Sequence, residues 1–247
     1  MKKRMLGLLV AAVVAAPIAL GASPALAAEP RKTAQPAGAQ PADIGTIITV
    51  ISTAISAYKA FTSSTSSGSV ATAQIIAAIN SAKAEIISHI DAVATAQARA
   101  CAEEAVIDFA DFEALTPDNK QSFALNVTSC VTLIDSLLTV VVDKGALDQL
   151  GYSQDEIAPV ALMARARTGL TNTNLAAVLV HSNQTIISVL APSCSSHVIE
   201  GRPQYTCIAY NGTTGGPEPS LSLAQNEAGA NISWRMARNL LPTFQTL

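Results

Sequence analysis

The side chains best suited to chemistry in this 247-residue sequence are three histidines and a run of carboxylates. The histidines are His89, His181 and His197; the carboxylates are Glu103, Glu104, Asp108, Asp111 and Glu113. Imidazoles serve as bases in acyl transfer, and grouped carboxylates do acid–base work or hold a hard cation. The sequence around them withholds the rest of such a site. There is no G-x-S-x-G turn to expose a serine nucleophile. The acidic run lacks the Asp/Asn-plus-Gly loop of an EF-hand and the Glu-x-x-His pair of a di-iron bundle. G-x-G-x-x-G, G-x-x-x-x-G-K-[ST] and H-E-x-x-H are missing too. The acidic run therefore reads as a solvated helix face, and His89 as a flank residue of a helix. No catalytic residue, cofactor-binding residue, metal ligand or cofactor is assigned.

The four cysteines, Cys101, Cys130, Cys194 and Cys207, carry more information. No pair has Cys-x-x-Cys spacing, so two disulfides are a better reading than a metal site. Residues equally far from a turn face each other in an antiparallel pair. The midpoint of Cys101 and Cys130 falls between Leu115 and Thr116, at the Thr116-Pro117 break. That of Cys194 and Cys207 falls between Glu200 and Gly201. The expected bonds are therefore Cys101–Cys130 and Cys194–Cys207.

The elements that must carry these residues read mostly as helices. Ile44, Ile47, Ile48, Ile51, Ile55 and Tyr58 recur at helical spacing, although their β-branching leaves a strand open. Residues 62–69 form a polar linker. From Ser69 to Thr116 there is neither Gly nor Pro, which predicts one long helix with a stripe of Ile76, Ile79, Ile86, Ile90, Val93 and Ala100. Near Cys101 a rotation of the buried face or a local irregularity is expected. Thr116 and Pro117 then start a second helix, with Phe123, Val127, Cys130, Ile134, Leu137 and Val141 on one side and Lys144-Gly145 as its end. Ser153 and Glu156 have the form of a capping box, which places a third helix from there to about Thr168 with Pro159 near its first turn. Residues 174–191 fit a helix or a hairpin. His197–Ile199 and Tyr205–Ile208 flank a turn and read as strands. Residues 211–219 read as a loop, and 231–241 as one short helix around Trp234.

Lys2, Lys3 and Arg4, an apolar run from Met5 to Leu20 and the Ala25-Leu26-Ala27 site have the three parts of a secretory signal peptide. All three charges of that segment are basic, so the remainder shifts from the net −3 of the whole chain to −6. Such a balance disfavours nucleic acid, which calls for clustered Lys and Arg. The best uncharged candidate for a span, Leu175 to Ala191, carries His181-Ser182-Asn183-Gln184-Thr185 in its middle, so no stable transmembrane span is expected.

The expected organisation is a signal peptide over 1–27, a flexible Ala/Pro-rich leader over 28–42, a helical domain over 43–191 and a small disulfide-containing region over 192–247. The fold class is mainly α: a helical bundle built on a long antiparallel helical hairpin, with a small β-hairpin and loop region at the C-terminus. The expected function is that of a secreted, extracellular, non-catalytic interaction protein whose partner is an unknown protein or cell-envelope component. The alternatives are a membrane-active, pore-forming-like helical protein and a secreted hydrolase whose site is assembled from distant residues. The position of Ile47, Ile51 and Ile55 separates core from interaction helix: buried if core, exposed if they meet a membrane or partner.

Overall fold

A helix that is buried on every side organises the chain. The computed structural model describes residues 44–247; the expected signal peptide over 1–27, the expected leader over 28–42 and Asp43 lie outside the described residues. The helices are α1 (Ile44–Thr62), α2 (Gly68–Ser81), α3 (Lys83–Asp91), α4 (Ala96–Asp108), α5 (Pro117–Val140), α6 (Lys144–Arg167) and α7 (Thr173–Val189). A 3₁₀ turn over Phe109–Ala114 joins α4 to α5. Strands β1 (Ser193–Ile199), β2 (Arg202–Ile208) and β3 (Thr214–Glu218) follow, then α8 (Leu221–Ala228) and α9 (Ser233–Phe244). The mainly α architecture agrees with the periodicities, and both expected disulfides are present.

α6 is enclosed by α1 to α5, α7 and α9. From Gly151 to Ala164 every residue is buried. The other helices are amphipathic and lay one face against it or against each other. Ile47, Ile51, Ile55 and Tyr58 of α1 are buried, so this segment is a core helix and not a strand. The 174–191 segment is helical as far as Val189, with Leu175, Leu179 and Ile186 inward. α9 packs Trp234, Met236, Leu240 and Phe244 into the same core, and the described residues form one compact unit.

Three expected boundaries need correction. The Ser69–Thr116 run is not one helix: the chain bends by 68° between α2 and α3 and breaks again before α4. No Gly or Pro marks these breaks. They arise because α2, α3 and α4 each pack on α6, which one straight rod could not do. Lys144-Gly145 begins a helix instead of ending one, since the Asp143 side chain accepts from the Ala146 N–H at 2.8 Å and caps α6. Ser153 and Glu156 are therefore mid-helix, not a capping box, and Pro159 is inside α6. There it withdraws the donor that would serve the Asp155 carbonyl.

The hairpin register around the first disulfide holds. Cys101 on α4 meets Cys130 on α5, and Phe109 and Phe112 close the turn end against Phe123. In the sheet, strand order is β1-β2-β3, all antiparallel, with Cys194 opposite Cys207. Glu200 and Gly201 form the two-residue turn, both at positive φ (51° and 75°), as a right-twisted hairpin requires. The 211–219 segment is not all loop: it contains β3, which lies under α8. A Cβ at Gly215 would collide with the Ala224 carbonyl, so only glycine allows that approach.

Candidate functional site

A helix buried all round is normally apolar all round. α6 instead carries Tyr152-Ser153-Gln154-Asp155-Glu156 at its centre, every one of them buried. The unusual chemistry of this molecule is gathered there, in three groups.

The first faces α3. Asp148, Tyr152 and Glu156 are spaced four apart and so form one stripe on α6. His89 of α3 donates from Nδ1 to Glu156 Oε1 at 2.8 Å, and its ring lies 4.6 Å from that of Tyr152. Asp148 accepts from the Ser233 N–H at 2.6 Å and the Tyr210 hydroxyl at 2.8 Å. Burial pushes the Asp148 carboxyl up, against the opposing pull of Ser233, Tyr210 and His89. Burial likewise raises Glu156, opposed by His89. On His89 burial acts downward, but the carboxylates of Glu156, Asp148 and Glu85 outweigh it and the imidazole is raised. Burial raises the Tyr152 hydroxyl far above its ordinary range.

The second group faces α7. Asn183 Nδ2 donates to Asp155 Oδ1 at 2.9 Å. Burial carries the Asp155 carboxyl up to about 8; the Asn183 bond opposes this and the Glu156 charge adds to it. No described protein donor reaches Asp155 Oδ2 or Glu156 Oε2.

The third joins α5, α6 and α7. Gln154 Nε2 donates to Ser182 Oγ at 2.9 Å, Ser182 Oγ donates to Asp135 Oδ1 at 2.6 Å, and His181 Nδ1 donates to the same oxygen at 2.7 Å. Serine, aspartate and histidine are together, but in an order unsuited to acyl transfer. A serine nucleophile needs the imidazole as its base, with the carboxylate behind it. Here the carboxylate stands between them, and Ser182 is fully buried.

The histidines singled out in the sequence are thus on three different elements, α3, α7 and β1. His89 is not a solvated flank residue but the partner of Glu156, with 20% of its side chain exposed. Among the acidic run, Glu104, Asp108 and Asp111 line a surface hollow of about 340 Å³ with Asn119, Ser122 and Asn126. Glu113 leaves that group to bind Arg167 at 2.9 Å and Lys120 at 3.3 Å. Burial acts upward on Glu113, but Thr72, Arg167 and Lys120 prevail and hold it below the ordinary carboxylate range. Among the described residues no three potential ligands converge on a metal position.

Sequence reasoning missed Asp135, Asp148, Tyr152, Ser182 and Asn183 as members of a polar interior. The one available signal was the four-residue spacing of Asp148, Tyr152 and Glu156. Its force depends on knowing that α6 has no solvent face. Comparison of the chain with protein-family models, with curated proteins and with solved structures gave no match.

Proposed function

We propose that this chain is an exported binding protein without a catalytic role, directed at a protein or cell-envelope partner. The observation that carries the reading is the wiring of Ser182, Asp135 and His181. The residues closest to a hydrolase triad are bonded in an order that leaves the serine without a base, inside the core. The carboxylates of α6 are likewise engaged with partners from other elements, which is how a buried polar network specifies a fold. Two disulfides fit an oxidising compartment and support export, as does the signal-peptide pattern of residues 1–27. The burial of Ile47, Ile51 and Ile55 favours a core role over membrane contact for α1.

The test pairs catalysis with binding. The secreted protein is assayed on ester, peptide and glycoside substrates, and its labelled form is titrated onto envelope preparations of the producing organism and of its neighbours. Saturable binding, competed by unlabelled protein and unaltered by Asp135→Asn, is the expected result. Turnover that Asp135→Asn or Ser182→Ala abolishes would overturn the reading in favour of a hydrolase.

A further inference from the structure

Strand β1 is one edge of the sheet, paired with β2 on its other side, while α8 packs on β3 and β2. All seven of its residues are exposed, so β1 buries no side chain of its own. Natural edge strands are guarded by Lys, Pro, bulges or a covering element. Between Ser193 and Ile199 there is no Lys, Arg, Asp, Glu, Pro or Gly. Val198 is 75% exposed and Ile199 49%.

The direction of the edge's hydrogen-bonding groups follows from three independent features. The Cα atoms of Cys194 and Cys207 are 4.0 Å apart, the close spacing of a non-hydrogen-bonded pair. Pro203 has no N–H and stands opposite Val198, which is tolerable only at another such pair. The two-residue turn makes Ile199 and Arg202 a bonded pair, which fixes the same alternation. The N–H and C=O groups of Cys194, Ser196 and Val198 therefore point away from β2, toward solvent.

We propose that this edge binds a second copy of the same chain, pairing β1 with β1 in antiparallel fashion about a two-fold axis at Ser196. The proposal stands independently of what else the protein binds. In this register Ser196 meets Ser196 of the other copy, and Cys194 meets Val198 in both directions. Every outward-pointing backbone group finds an outward-pointing partner; centring the axis on Cys194 or Val198 would leave some unpaired. Side chains agree with the register. Val198 comes to rest beside the other copy's Cys194–Cys207 bond, apolar on apolar. On the opposite face Ile199 stands across from Ser193, whose neighbour on β2 is the half-exposed Ile208. His197 stands across from Ser195. No charged pair of like sign is brought together, because β1 carries no formal charge apart from any proton on His197. The product is a continuous sheet running β3-β2-β1-β1-β2-β3 across two chains.

The full secreted protein is examined by sedimentation equilibrium at tens of micromolar, together with Ser196→Pro and Ser196→Lys. Proline at Ser196 removes only an outward N–H and leaves the bonds to β2 intact, while lysine sets two like charges on the axis. Each is expected to raise the dimer dissociation constant by about 30-fold or more, with the melting temperature of the monomer unchanged. Amide exchange over 193–199 is expected to slow in the wild-type dimer and not in either variant. A wild-type protein that remains monomeric, or a dimer whose affinity and amide protection survive both substitutions, overturns the proposal. So does a monomer whose β1 edge becomes protected only on adding an extended peptide from another protein.

Discussion

The carboxyl of Asp155 sits on a helix with no solvent face, and its proton is accordingly held far more tightly than in the unfolded chain. With a folded value of about 8 against an unfolded value near 3.9, folding takes up a proton between those limits. The sign is that of a raised acid: the folded state binds more protons, so stability falls as pH climbs from about 4 to about 8. Asn in place of Asp155 keeps the oxygen that Asn183 bonds and removes the titration. Asp155→Asn is therefore expected to gain stability over wild type progressively from pH 4 to pH 8, reaching a few kcal/mol. Urea unfolding of the two proteins at several pH values checks this; a gain of the same size at every pH would count against it. Glu156 behaves differently because it has a basic partner. His89→Ala removes the hydrogen-bond partner of a buried carboxyl whose proton burial already holds more tightly than usual, and is expected to cost about 1 to 3 kcal/mol at neutral pH. The loss should shrink in acid, where Glu156 protonates, and Glu156→Gln in the same chain should recover part of it. Denaturation of the single and double variants at pH 4 and pH 7 measures both effects, and an unrescued, pH-independent loss would refute the pairing.

α6 also shows where a reading of helix signals from one sequence stops. Ser153 and Glu156 match a capping box, yet the cap belongs to Asp143, ten residues earlier. Local pattern alone favoured the wrong start because polar residues in a helix are normally at its ends or on its wet face. Only the surrounding helices make a polar mid-helix tolerable, and their arrangement is not a local property. The consequence is measurable. Asp143→Ala is expected to cost about 1 kcal/mol through loss of the bond to Ala146. Ser153→Ala is expected to be neutral or mildly stabilising, because the Ser153 hydroxyl has no protein partner among the described residues. Thermal melts of the two variants decide between the caps, and a larger loss from Ser153→Ala would restore the rejected boundary. The β-ribbon was legible for the opposite reason: turn, flanking strands and both cysteines lie within Ser193–Ile208, so register follows from short-range symmetry. The Cys101–Cys130 pairing was legible on the same grounds, whereas the bends between α2, α3 and α4 answer to α6 and left no mark in the sequence.

For the molecule as a whole, the buried network bears on the membrane-active alternative. α5 is long and apolar enough to cross a bilayer by length and composition, but seven of its residues from Phe123 to Leu138 are core. Withdrawing it would expose Gln154 and Ser182 and remove Asp135 from both of its donors. It would also have to pull against the Cys101–Cys130 bond, which closes a span of 29 residues and is worth about 3 to 4 kcal/mol by chain entropy. Dye-loaded liposomes of neutral or anionic lipid are accordingly expected to stay sealed at micromolar protein, with that bond intact. Dose-dependent leakage would reverse this and make insertion the better account.

The bond from the Ser233 N–H to Asp148 ties the middle of the chain to its last helix. During synthesis α6 emerges long before α9, and until Ser233 arrives one face of the central helix has nothing to close it. The face of α6 that carries Asp148 is therefore expected to close only once Ser233 has joined it. Under the proposed export, which threads the chain unfolded, a core that needs residues so far apart in sequence would favour passage over premature closure.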